Sequence, residues 1–231
     1  MIGRLASVRF IQTSAVVFGR GFKPGRGTGD KGSSSLFNNE RRWKDDAAFT
    51  ALGTTDELSS WLGLCREKAE ADGIEDVDHI LTRVQCIIQD LGAHVATPPE
   101  SSKKKLEKTA FDANFVAYVH GLIDEYGDKV PPIRQFILPG GGELAARLQY
   151  GRALCRRAER SLVPLMRDEA IDENALKFLN RLSDLLFVLG RYACLRTKNM
   201  EKTYLPPLDR VKEDLKWQTT NLHEKKNKKD E

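Results

Sequence analysis

The chain has 231 residues, 40% of them hydrophobic and 30% charged, which suits one folded domain with flanking extensions and is too apolar for disorder throughout. Its 37 Lys and Arg against 33 Asp and Glu leave a net charge of +4, which the N-terminal segment and the Lys-rich tail from His223 could supply alone; nucleic-acid binding would call for base clustered on one face. No run approaches the roughly 18 to 20 apolar residues of a spanning helix, so a soluble protein without membrane insertion is expected.

The first 29 residues carry Arg4, Arg9, Arg20, Lys23 and Arg26 but no Asp or Glu, with Ser7, Thr13 and Ser14 among apolar residues. That composition suits a mitochondrial transit peptide over residues 1–25, with the mature protein expected in the matrix; an ordinary disordered N-terminus is the alternative. Gly19 to Gly32, rich in glycine and base, reads as an irregular loop. A first helix is expected from Asp45 to about Ala71, with Phe49, Leu52, Leu58, Trp61, Leu62 and Cys65 at helical spacing and Gly73 ending it. The clearest amphipathic stripe follows, Val77 to Val95, and is stopped by Pro98 and Pro99; the Lys103 to Lys105 run reads as a solvated loop or helix edge.

Phe115, Val119, Leu122 and Tyr126 predict a third, shorter helix before a break at Gly127 to Pro132. Phe136-Ile-Leu-Pro-Gly-Gly-Gly then gives an apolar, strand-like stretch ending in a loop. A fourth helix starts at Glu143 and carries Leu144, Leu148, Cys155, Leu162 and Leu165, with Pro164 expected to end or bend it. A fifth runs from about Asp172 to Lys198, and the tail 209–231 is expected to be flexible. Five long helices without an alternating strand pattern predict an all-α, five-helix up-and-down bundle over residues 26–208.

Cys65, Cys86, Cys155 and Cys194 form no close pair and read as buried free thiols, and neither they nor the four histidines have metal-ligand spacing. Four features could carry chemistry. Arg152, Arg156, Glu159 and Arg160 fall on one side of the fourth helix, where planar guanidinium forks could grip phosphate oxygens or simply form a solvated stripe. The loop Arg26-Gly-Thr-Gly-Asp-Lys-Gly-Ser-Ser-Ser offers backbone amides and hydroxyls for phosphate, but is not a Walker A loop, because Lys31 is followed by Gly32. Asn180 and Asp184 interrupt an apolar stripe, as a buried polar link between helices or as ligand contacts; Asp56 and Glu57 are open between salt bridge and site.

Taken in order, these motifs resemble the PduO-type ATP:cob(I)alamin adenosyltransferases, including the mitochondrial animal enzymes. The resemblance spans about Thr28 to Tyr204. It rests on Thr-Gly-Asp-Lys-Gly from Thr28, Glu-Arg-Arg-x-Lys-Asp-Asp from Glu40 and Gly-Thr-Thr-Asp-Glu-Leu-Ser-Ser from Gly53. It continues through Phe-Ile-Leu-Pro-x-Gly-Gly from Phe136, Cys-Arg-Arg-Ala-Glu-Arg from Cys155 and Lys-Phe-Leu-Asn-Arg-Leu-Ser-Asp from Lys177. Gly25-Arg26-Gly27 stands where the family usually has Tyr-Thr-Arg or Tyr-Thr-Lys, and Trp43 where proline is common.

The resemblance implies a homotrimer with sites between subunits, and a reaction in which cob(I)alamin attacks the 5′ carbon of ATP, with Mg2+ on the phosphates and no protein-ligated metal. It implies that Arg26, Gly27, Thr28, Gly29, Ser34, Ser35 and Lys44 surround the triphosphate, and that Arg156, Arg157, Ala158, Glu159, Arg160 and Asn180 bind ATP. Arg152 and Arg156 would act in catalysis, Arg152 pairing across the interface with Asp56, and Phe136 would occupy the lower face of the corrin ring. An adenosylcobalamin-dependent mutase and a cobalamin-delivering or reducing protein are the implied partners. The alternatives are another ATP-using transferase on the same bundle, or a non-catalytic cobalamin-binding delivery protein.

Overall fold

The structure, a computed structural model, describes residues 27–204. The transit-peptide segment, Arg26 and the tail 209–231 lie outside the described residues. A short antiparallel hairpin comes first, β1 (Ser33–Ser35) against β2 (Arg41–Trp43), with Ser34 opposite Arg42. Six helices follow: α1 (Ala47–Ala71), α2 (Glu75–Val95), α3 (Lys103–Lys108), α4 (Asn114–Gly127), α5 (Glu143–Arg167) and α6 (Glu173–Arg196).

The chain is therefore mostly helical as the periodicity predicts, with two corrections. The Lys103 run is a helix of six residues, so the described residues hold six helices rather than five. A two-stranded sheet also follows the basic, glycine-rich region, unpredicted because three-residue strands are too short to carry an apolar alternation to read.

Local chemistry accounts for the helix ends. Asp46 caps α1, its carboxylate accepting from the Ala48 amide at 2.8 Å. At the other end Gly73 adopts φ 67°, and the amides of Gly73 and Ile74 close on the carbonyls of Glu70 and Ala69, so the chain reverses into α2. Asp172 caps α6 through the Asn174 amide at 2.7 Å. Pro164 neither ends nor interrupts α5, which continues to Arg167. The proline lies on the exposed side in the last turn, where the Arg160 carbonyl it deprives of a donor belongs to an exposed residue.

The helices pack in the order α2, α1, α5, α6, α4 around one core that includes Leu58, Leu62, Leu81, Leu148, Leu162, Phe178 and Leu182, each almost fully buried. Cys65, Cys155 and Cys194 are buried free thiols as expected, whereas Cys86 is exposed. Polar ties lock both ends of the bundle. At one, Asp76 on α2 accepts from the phenols of Tyr126 on α4 (3.1 Å) and Tyr192 on α6 (2.8 Å). At the other, His94 on α2 bridges the Thr109 carbonyl and the Asp172 amide. No described helix is long and apolar enough to cross a membrane.

Candidate active site

The fourth predicted helix is α5, and it carries the arginine series as its periodicity requires. Ala158, Cys155 and Leu162 are fully buried, which turns Arg156 and Arg160 outward with Arg152 and Glu159 at the margin. The charges around this face are sorted by their partners. Arg157 forms an ion pair with Glu57 on α1. Glu159 accepts from the Asn180 side-chain amide on α6 at 2.9 Å, and the other end of that amide accepts from Arg181 at 2.9 Å. Arg152 donates from Nε to Gln149 Oε1 at 3.1 Å, and its guanidinium lies 5.9 Å from the Phe187 ring centroid. Arg156 and Arg160 are exposed and have no hydrogen-bond or ion-pair partner among the described residues.

Several sequence-level alternatives are resolved by this arrangement. Asn180 does link two helices, but through Glu159, so the polar interruption of the α6 stripe holds a member of the arginine face in place. Asp184 pairs with Arg181 at 3.4 Å rather than with Asn180. Glu57 takes the salt bridge, and Asp56 beside it is exposed. Within the subunit Arg152 is held by Gln149 and not by Asp56. Ala158 packs into the core, so its methyl spaces the arginines without sharing their face.

The glycine-rich loop forms a second cluster. Gly27 and Gly32 take φ of 85° and 78°, backbone that favours glycine. A β-carbon on Gly29 would lie 3.1 Å from Lys44 Nζ, so the missing side chain lets the ammonium sit directly over the loop. The organising residue is Arg41. Its Nη2 donates to the carbonyls of Thr28 (2.8 Å) and Ser33 (2.9 Å) and to the Ser33 hydroxyl (2.8 Å), and its Nη1 reaches the Ser35 hydroxyl at 3.4 Å. Ser34, on the opposite face of β1, is not in this set. Sequence reading gave Arg41 no role; its place in an unbroken Glu-Arg-Arg-x-Lys motif was the available signal.

Phe136 forms a third region. It is 73% exposed, next to exposed Ile133, on the segment between α4 and α5. The strand-like character expected there takes the form of a single antiparallel bridge, Ile137 opposite Thr203.

Among the described residues, then, stand two outward arginines without partners, a glycine loop under a lysine and an exposed aromatic. The family model described as cobalamin adenosyltransferase matches residues 26–193. The chain belongs to the cobalamin adenosyltransferase family. It is 47% identical over 179 residues to the corrinoid adenosyltransferase MMAB of Homo sapiens, covering 77% of this chain and 71% of that protein. It is 37% identical over 171 residues to a corrinoid adenosyltransferase of Bacillus subtilis, covering 74% of this chain and 86% of the relative. Among solved structures it resembles a variant PduO-type ATP:corrinoid adenosyltransferase from Lactobacillus reuteri complexed with cobalamin and ATP. That likeness has a TM-score of 0.72 at 33% identity, with 79% of this chain and 96% of the other covered.

Proposed function

We propose that the Arg152, Arg156 and Arg160 face of α5, backed by Glu159 and Asn180, receives the triphosphate of ATP, and that Thr28, Gly29, Ser34, Ser35 and Lys44 close over it. The chain is an ATP:corrinoid adenosyltransferase. It transfers the 5′-deoxyadenosyl group of ATP to cob(I)alamin, giving adenosylcobalamin and triphosphate. The observation that carries the assignment of the site is the sorting of charge on α5. Arg157 and Glu159 are committed to neighbours, while Arg156 and Arg160 are presented outward with their donors unengaged among the described residues.

The chemistry fits these groups. The cobalt(I) electron pair forms a bond to C5′, the C5′–O bond breaks, and the leaving triphosphate takes its electron pair. Cobalt is the nucleophile, so no general base is needed; alignment of the three reacting atoms and stabilisation of the leaving charge are. Guanidiniums supply the second through paired, charge-assisted hydrogen bonds. Among the described residues no group of three or more His, Cys, Asp or Glu could hold a metal. Mg2+ is assigned to the triphosphate oxygens and water. Phe136 is assigned to the lower face of the corrin, where an apolar ring excludes the lower axial ligand and leaves cobalt four-coordinate and easier to reduce.

Residues 26–208 are the catalytic bundle in this reading, and it works as a homotrimer with sites between subunits. Exposed Asp56 supports that assembly as a partner for Arg152 of a neighbouring copy, an ion pair the single subunit does not make. The acid-free N-terminal segment supports import into the mitochondrial matrix. There the substrate must come from a reductant able to reach cobalt(I), and the product suits an adenosylcobalamin-dependent mutase.

The test is anaerobic incubation of the purified protein with ATP, Mg2+ and chemically reduced cobalamin, following absorbance toward adenosylcobalamin. Turnover in the wild type and its loss in Arg152→Ala support the site. Full turnover in Arg152→Ala rejects the α5 assignment.

A further inference from the structure

The segment that carries Phe136 has no hydrophobic anchor of its own, since residues 131–136 are all exposed. Behind it lies a cavity of about 470 Å³ lined by Pro131 to Gln135, Ile137, Arg191, Glu201 and Thr203. What fixes the segment is main-chain pairing with a strap, residues 199–204, that follows α6. The Leu138 amide donates to the Lys202 carbonyl at 2.8 Å, and the Tyr204 amide donates to the Phe136 carbonyl at 2.8 Å. The loop after Phe136 presses on the same region. A β-carbon at Gly141 would lie 2.7 Å from Cys194 Sγ, and one at Gly142 would lie 2.4 Å from Asn199 Nδ2.

Among the described residues one ion pair ties the strap to the bundle, beside the bond from the Asn199 amide to the Cys194 carbonyl at 3.0 Å. Arg191 on α6 donates from Nε to Glu201 Oε1 at 2.8 Å and from Nη2 to Oε2 at 3.1 Å, a two-pronged arrangement. Among the described residues Arg191 is the one charged residue that is buried, at 6% exposure. Glu201 is half-buried, so the pair joins a buried guanidinium to a carboxylate at the edge of the bundle, and its two-pronged geometry fixes where the strap lies. The strap starts where α6 ends with Lys198 at φ 56°, which aims the chain back toward the Phe136 segment.

We infer that Arg191 and Glu201 are positioning residues for the corrinoid step: they hold the strap, and through its pairing they set where Phe136 stands beneath the corrin. The inference rests on the reading of Phe136 given above. It requires no contact of either residue with substrate.

The experiment compares wild type, Glu201→Gln, Arg191→Lys and Phe136→Ala as full chains. Each is assayed with ATP, Mg2+ and two reduced corrinoids: cobalamin, and cobinamide, which has no lower nucleotide base to displace. Glu201→Gln is expected to lower kcat/KM for cobalamin about tenfold or more and for cobinamide much less, with KM for ATP unchanged. The absorption spectrum of bound cob(II)alamin should show a larger fraction retaining its lower base, and Arg191→Lys, which keeps the charge but not the fork, should fall between. Equal loss with both corrinoids, a parallel rise in KM for ATP, or wild-type behaviour overturns the positioning role. If Phe136→Ala itself treats the two corrinoids alike, the reading of Phe136 fails instead, and the pair has nothing to position.

Discussion

The two clusters assigned to ATP are built in opposite ways. The arginines stand on α5, where Leu154, Cys155, Ala158 and Leu162 are buried on the reverse side, so the face from which each arginine leaves the helix is set by core packing. The glycine loop has no such backing; it is shaped by positive-φ glycines and by the four donations of Arg41. Helix-borne charge is thus in place before ligand arrives, whereas loop-borne groups depend on one polar side chain for their arrangement. A substitution on the helix should remove a contact, and a substitution in the loop should remove organisation.

The largest separation is expected from Arg156→Ala. The charge-assisted phosphate contact is worth roughly 1.5 to 3 kcal/mol, so kcat/KM for ATP should fall about 10- to 150-fold. Arg156 is exposed and unpaired among the described residues, so the melting temperature should stay put; a matching drop in stability would mean that it is structural. Arg41→Ala should act on binding instead. Losing the loop's organiser is expected to raise KM for ATP about tenfold with a smaller change in kcat. An Arg41→Ala protein with unaltered KM would show that the loop keeps its form without it.

The bundle ends give a gentler test through pH. His94 Nδ1–H donates to the Thr109 carbonyl at 3.0 Å while Nε2 accepts from the Asp172 amide at 2.8 Å, so its partners fix a neutral tautomer. Burial, against the opposing pull of the Thr109 carbonyl and Asp172, holds its pKa below the ordinary 6.5. The unfolded chain then binds the proton more readily. The stability His94 contributes is therefore complete above pH 6.5 and is lost as pH falls below that value toward the folded pKa. Melting curves of wild type and His94→Asn should converge across that window, and parallel curves would exclude His94 as the titrating group. The smallest effect concerns the thiols. Burial pushes Cys65 up to about 12 and raises Cys155 further, so only exposed Cys86 should react promptly with a thiol reagent in the native protein, and rapid modification of Cys65 would contradict its burial.

How much of this was legible in the sequence depends on the range of the interaction. Helix periods, the Gly73 stop and the shared face of Arg156 and Arg160 all follow from spacings within a few residues, and the structure keeps them. The Asn180 interruption signalled a buried partner without naming it, because Glu159 lies on another helix. The hairpin, the Arg41 network, the two-sided role of His94 and the Arg191–Glu201 pair were not legible. Each joins elements whose meeting is decided by packing, and none leaves a periodic trace. The roles of Phe136 and Asp56 came from resemblance alone, since exposed side chains on a single subunit carry no internal record of what covers them.

Gly190 shows how far the support of the proposed site reaches into the bundle. It lies buried in α6, uncharged, where an added methyl would meet Gln149 Nε2 at 2.9 Å, and Gln149 is the side chain that holds Arg152. Gln149 is itself buried and donates to the Phe187 carbonyl at 3.4 Å, so a shift of its amide would be felt at Arg152. Gly190→Ala, which touches no arginine, is therefore expected to disturb Arg152 through Gln149.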